Sequence, residues 1–193
     1  MIDYVTTETP AEAGVVTTPA TTSVVEYMGF DPTGGEGGIH HTILTLTDFA
    51  MGDSGDGAAL ALGAEVYTLP AGAIVIDHAT CVGTILADIS NKTAASSEVG
   101  LGTVVGTGAN ATLGAVDAGC ENVCGPVVIG AYNNTAVSGL TVASAAQPHL
   151  HIAASGGLAH EIFLNTATTW ADVTEAGAVT FTGVITLTWR KIS

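Results

Sequence analysis

The chain is nearly devoid of cations: Lys92, Arg190 and Lys191 stand against 18 carboxylates, for a formal net charge of -15 over 193 residues. Binding a phosphate backbone takes several Lys or Arg side chains that displace counterions, so the balance argues against nucleic acid as a partner. An anionic membrane is disfavoured on the same ground. Cysteine is limited to Cys81, Cys120 and Cys124, an odd number that cannot form a fully paired disulfide framework. Long apolar runs are missing too. Despite a mean hydropathy of +0.48, Gly, Thr, Asp or Asn interrupts each apolar stretch well before the roughly 20 residues a bilayer-spanning helix needs. The chain therefore reads as soluble. Met1-Ile2-Asp3-Tyr4 shows no basic segment leading into an apolar one, so no secretory signal is expected and synthesis in a cytosol follows.

Aromatics make up only 5% of the residues and charged residues 11%, which leaves too few of the side chains that long surface helices usually carry. What remains is small and β-branched: 25 glycines and many Ala, Val and Thr, which suit closely packed strands and tight turns. The expectation is an all-β protein. The length suits one domain, since about 150 residues bury roughly two-thirds of the surface of the unfolded chain. An acidic surface repels itself unless ions screen it, over about 10 Å at 0.1 M salt and about 3 Å at 1 M. A saline habitat fits that requirement.

Residues 1–38 are rich in Thr, Pro, Ala, Gly and Glu and end in Asp31-Pro32-Thr33-Gly34-Gly35-Glu36-Gly37-Gly38. Such a composition buries too little apolar surface to order itself, and the segment is expected to be an extended arm fixed only against a partner. Stretched, it would reach on the order of 120 Å. Val15-Val16 and Val24-Val25 are expected to add as strands to a neighbouring molecule.

From Ile39 to Ser193 the pattern is one of short strands separated by turns. His40–Thr47, Ala64–Leu69, Ala73–Ala79, Cys81–Leu86, Val99–Val105, Val127–Ala131, Gly139–Ala143, His149–Ala153, Glu161–Thr166 and a closing pair, Ala178–Thr182 and Val184–Trp189, are the candidates. Pro70-Ala71-Gly72 marks a hairpin or a corner, and Asn110–Ala118 a short helix. In the last segment Thr180, Thr182, Thr186 and Thr188 can line one face while Phe181, Ile185, Leu187 and Trp189 fill the other, with Gly183 allowing a bulge. Arg190 is expected to pair with a carboxylate. Eight or more strands in one domain favour a jelly-roll β-sandwich, with an immunoglobulin-like sandwich as the alternative.

Several groups of residues bear on chemistry. His149 and His151 form an H-x-H pair on one strand face, as in cupin metalloproteins, but the Glu that should follow is replaced by Ile152-Ala153-Ala154-Ser155-Gly156-Gly157, and the nearest carboxylate is Glu161 beside His160. His40 and His41 are adjacent and point to opposite faces. Of Asp77 and His78, one is expected in solvent and the other inward. Asp48, Asp53 and Asp56 suggest calcium, but the loop lacks the EF-hand spacing and terminal Glu. Cys120-Glu121-Asn122-Val123-Cys124 has no second cysteine pair to complete a zinc site. No G-x-S-x-G elbow and no phosphate-binding glycine loop is present. The reading is therefore a protein that is not an enzyme, with no catalytic, cofactor-binding or metal-binding residues and no small-molecule substrate.

The order of the Thr/Pro/Gly-rich start, Glu65-Val66-Tyr67-Thr68-Leu69-Pro70-Ala71-Gly72, the Gly-rich middle, Thr169-Trp170-Ala171 and the closing Thr182-Gly183-Val184-Ile185-Thr186-Leu187-Thr188-Trp189 resembles structural proteins of tailed bacteriophages. More narrowly, it resembles the jelly-roll decoration, or cement, proteins on capsids of marine and cyanobacterial phages. The resemblance implies a homotrimer made in the host cytoplasm that sits on the virion surface and bridges major capsid proteins. It brings no catalytic residues with it. Another virion component, such as a tail, neck or fibre protein, and a cupin-like metalloprotein using His149 and His151 are the alternatives.

Overall fold

Alternation of apolar and polar residues sets the fold most plainly in the last strand, where every second side chain from Val179 to Trp189, Gly183 excepted, is buried. A computed structural model describes residues 23–28, 38–53, 60–87, 91–130, 137–143, 149–153, 159–173 and 178–192. Among these, ten strands follow in chain order: β1 (Ser23–Met28), β2 (Ile39–Asp53), β3 (Ala61–Leu69), β4 (Ala73–Ala87), β5 (Asn91–Gly102), β6 (Cys124–Ile129), β7 (Val137–Ala143), β8 (Leu150–Ile152), β9 (His160–Val173) and β10 (Ala178–Ile192). One helical turn, α1 (Leu113–Val116), and a 3-10 turn over Ala118–Cys120 lie between β5 and β6.

The strands form two sheets whose apolar faces meet. One runs β1-β2-β10-β4-β7, with β8 also paired to β4, and the other runs β3-β9-β5-β6; the pairs are antiparallel. Setting β1 and β8 aside, the sheets β2-β10-β4-β7 and β3-β9-β5-β6 have the jelly-roll strand order, so the fold is an all-β jelly-roll sandwich. Between the sheets pack Leu44, Leu46, Met51, Tyr67, Leu69, Ile85, Leu101, Ile162, Leu164, Phe181 and Trp189, among others. Pro70-Ala71-Gly72 is a corner and not a hairpin, since β3 and β4 belong to different sheets. Gly72 takes φ of +123° there, a region that side chains rarely enter.

Two strands each join two expected ones. The Ala73–Ala79 and Cys81–Leu86 candidates form the single strand β4, and the closing pair forms β10. The punctuation between them is absorbed by irregular pairing. In β4 the inward residues are Ile74 and Ile76, then Ala79, Cys81 and Ile85, so the alternation changes phase between Ile76 and Ala79. A register shift against Trp189 and Thr188 marks the bulge that inserts the extra residue. Gly183 is not itself the bulge. The extra residues lie in β2, while Gly183 faces Gly83 across the sheet and leaves room for the Phe181 ring, which a Cβ on Gly183 would meet at 2.7 Å.

Residues Thr103–Val123 fold over the outer face of the four-stranded sheet. Leu113 and Cys120 bury themselves there against Ala61 and Ala167, in a second small apolar cluster. The close approach depends on Gly102, where an added Cβ would lie 2.0 Å from the Gly119 carbonyl oxygen. Buried Asn165 on β9 pins this cover: its Oδ1 accepts the Gly106 N–H at 2.7 Å, and its Nδ2 donates to the Val104 and Cys120 carbonyls at 3.0 and 2.8 Å. The outer face of the six-stranded sheet is different in kind. Cross-strand partners Val82 and Val184 are exposed there, beside Thr45, Thr80 and Thr186.

Val24 and Val25, expected to add to a neighbouring molecule, pair within the same chain: β1 extends the six-stranded sheet by lying against Ile43 and Leu44 of β2. An antiparallel partner joined by a short connection has a far smaller loop-closure cost than one recruited from another chain. Val15 and Val16 lie outside the described residues.

Candidate functional site

Antiparallel pairing brings the chain's six histidines to one end of the sandwich. In one row of the six-stranded sheet His41 on β2 pairs with Thr188 on β10, which pairs in turn with His78 on β4. In the next, Ile39 pairs with Arg190, Arg190 with Val75, and Val75 with His151 on β8. His149 immediately precedes β8, and His40 pairs with Trp189. At the same end of the other sheet His160 begins β9, and its Nε2 lies 2.7 Å from the Gly72 carbonyl in the corner before β4. Lys191 reaches the same corner, with its Cε 2.9 Å from where a Cβ on Gly72 would be.

These histidines have different surroundings. His40 faces inward and stacks on Trp189, with ring centroids 4.0 Å apart and planes 9° from parallel. The Trp189 Nε1–H donates to Thr42 Oγ1 at 2.9 Å. His41 faces outward with its Nδ1 3.1 Å from Thr188 Oγ1. Opposite orientation of this adjacent pair is as the strand period requires. Asp77 and His78 do not follow that rule, because the β4 bulge falls on them: Asp77 is half-buried and His78 exposed, and neither joins the core.

Asp77 is the centre of two ion pairs. Its Oδ1 accepts from His149 Nδ1 at 2.7 Å and lies 3.4 Å from an Arg190 terminal nitrogen. The carboxylate expected for Arg190 is thus in its own chain. His149 adopts φ of +67°, uncommon for a residue with a side chain, and the bond to Asp77 ties the three-residue strand β8 to β4. An imidazole oriented by a carboxylate can serve as a general base when a nucleophile faces its other nitrogen. The three cysteines, the strongest nucleophiles present, are buried elsewhere. Burial pushes the Cys124 thiol up to about 12, and burial together with nearby Cys124 raises Cys81 further. Burial also raises Cys120, with Asp117 and Glu121 adding to the effect. Such thiols are largely protonated and inert at neutral pH.

Among the described residues no group of three or more His, Cys, Asp or Glu side chains is placed to hold a metal ion. His149 and His151 share a sheet edge, but Asp77 takes the Nδ1 of the first. Of the calcium candidates, Asp48 is engaged with Thr182, Asp53 ends β2, and Asp56 lies outside the described residues. No helix among the described residues is long and apolar enough to cross a membrane.

A carboxylate pair lies under the cover of the smaller sheet. Glu98 accepts the Leu113 N–H at 2.7 Å, and the buried Oε2 of neighbouring Glu121 has no hydrogen-bond partner. Burial, reinforced by the Glu98 charge, holds the Glu121 carboxyl above the usual range. A raised folded-state value means that the favourable contribution of protonated Glu121 is complete in acid and is lost as pH rises through that value. Glu121→Gln, neutral throughout, is therefore expected to melt higher than the parent at pH 7, with the gain shrinking toward about pH 4. A lower melting temperature at pH 7 would contradict this assignment.

Asp77 as a hub was not legible in the sequence, nor was the gathering of the histidines. Positions 40, 78, 151 and 160 become neighbours only through register. No known family model matches the chain, and no curated protein matches it.

Proposed function

We propose that this chain is a virion structural protein: a decoration or cement protein that sits as a trimer on the head of a tailed bacteriophage and stabilises contacts between major capsid proteins. The observation that carries the reading is how the N-terminal arm meets the domain. Ser23–Met28 joins the edge of the six-stranded sheet as a strand, so the arm attaches through backbone hydrogen bonds. Strand addition of this kind to the sheet edge of a neighbour is how a building block links to others. The middle of the outer face of the same sheet, where Val82 and Val184 are exposed among threonines, suits flat contact with a protein lattice that an acidic surface would repel. The protein is made in the host cytoplasm and works on the capsid surface.

The test is addition of purified protein to particles that lack it. The full chain is expected to bind. Deleting residues 1–22, which leaves every described strand in place, is expected to weaken binding at least about tenfold. Full-length protein that leaves the particles bare would sink the virion reading; undiminished binding after deletion would show that the arm is not the clamp.

A further inference from the structure

The charges of the chain are unevenly divided between its two parts. Residues 1–38 contain Asp3, Glu8, Glu12, Glu26, Asp31 and Glu36 and no Lys, Arg or His. The six histidines, with Arg190 and Lys191, meet at one end of the sandwich. We propose that this end receives the acidic N-terminal arm of a second copy of the chain. The inference does not rest on the virion reading.

Topology favours a second copy over the chain's own arm. β1 runs from Ser23, beside Thr45, to Met28, beside His40. Residues 1–22 therefore join β1 at its end away from the histidines, and to reach the histidine end of their own sandwich they would have to turn back along the sheet. Stretched, these residues reach about 70 Å, enough to cross to a neighbouring sandwich.

The receiving end has donors to offer. Arg190 makes one contact at 3.4 Å with Asp77, and its buried Nε has no partner, so the guanidinium retains capacity for an incoming carboxylate. His41, His149 and His151 are exposed around it. The acidic groups already at this end are Asp77, taken by His149 and Arg190; Glu65, held by Thr68; exposed Glu161 beside His160; and Glu26, at the β1 position paired with Thr42. Asp31 and Glu36 belong to the segment joining β1 to β2. Histidine side chains gain charge between about pH 8 and about pH 5.5, while carboxylates ordinarily stay ionised, so docking strengthens as pH falls through that window.

The decisive experiment is sedimentation of the full-length protein, alone, at about pH 5.5 and about pH 8 in low salt, with a parallel run near 1 M salt. Self-association is expected at the lower pH, weaker at the higher, and lost in high salt. The combined variant D3N, E8Q and E12Q is expected to weaken association at least about tenfold. That sign is diagnostic, because the variant lowers the net charge from -15 to -12 and general repulsion alone would make it associate more readily. H149Q, H151Q and R190Q together are expected to act in the same direction. If the arm variant associates as well as the parent or better, or if the parent does not associate at either pH, the proposal is overturned. Weakening by the sandwich variant alone also overturns it, since the arm is then not what binds there.

Discussion

Replacing Asn165 with leucine is expected to lower the stability of the sandwich by about 3 to 5 kcal/mol, read from denaturant unfolding at 25 °C. The side chain makes three hydrogen bonds, all with backbone groups: the Gly106 N–H on its oxygen, and the Val104 and Cys120 carbonyls on its nitrogen. Leucine is similar in size but leaves these three groups without their partner, and each buried polar group left unsatisfied costs about 1 to 3 kcal/mol. The damage should concentrate in the cover over Thr103–Val123, so amide exchange there is expected to rise more than in β2, β4 or β10. Asn165→Asp keeps the acceptor and loses both donors, and should also be destabilising. A loss below about 1 kcal/mol for the leucine variant would mean the cover is held by its apolar contacts with Ala61 and Ala167 instead.

Trp189→Ala is expected to be comparably severe, at about 3 to 5 kcal/mol. Among the described residues Trp189 is the largest fully buried side chain; it stacks on His40 and donates to Thr42, and so ties β10 to β2 at the histidine end. Trp189→Phe retains an aromatic partner for His40 and gives up the indole N–H, so it should cost only about 1 to 2 kcal/mol. Equal losses for the two variants would show that the hydrogen bond matters more than volume and stacking. Both variants are expected to weaken the low-pH self-association as well, because Thr188 and Arg190 flank Trp189 on the outer face and depend on it for their position.

Trp189 also shows how much could be read from one dimension. The T-x-T-x-x-x-T-x-T spacing around it identified the inner and outer faces of β10 correctly, because a fully paired strand has a strict period of two. The same rule failed for Asp77 and His78. A bulge is a property of two strands in register, and nothing in Ile76-Asp77-His78-Ala79 alone signals that β10 will impose one. Gly183 and the Thr80 region suggested breaks for a related reason. Glycine and threonine do punctuate strands, but in β4 and β10 they accommodate Phe181 and the outer face without ending the pairing. Asn165, inside Leu164-Asn165-Thr166, looked like one more polar residue of a strand. Its importance comes from a cover more than forty residues away in sequence.

Composition and patterning determined that this chain is all-β, that its strands have one apolar face, that its formal net charge is -15 and that its first 38 residues differ in composition from the rest. These are local or additive properties: each residue contributes its charge, its volume and its preferred dihedrals whatever its distant neighbours are. Tertiary structure alone decided that β1 folds back on β2, that Asp77 joins His149 to Arg190, and that histidines from residues 40 to 160 share one end of the sandwich. Those facts follow from register and sheet order. Register is set by the sum of many weak cross-strand contacts, so no single stretch of the chain contains it.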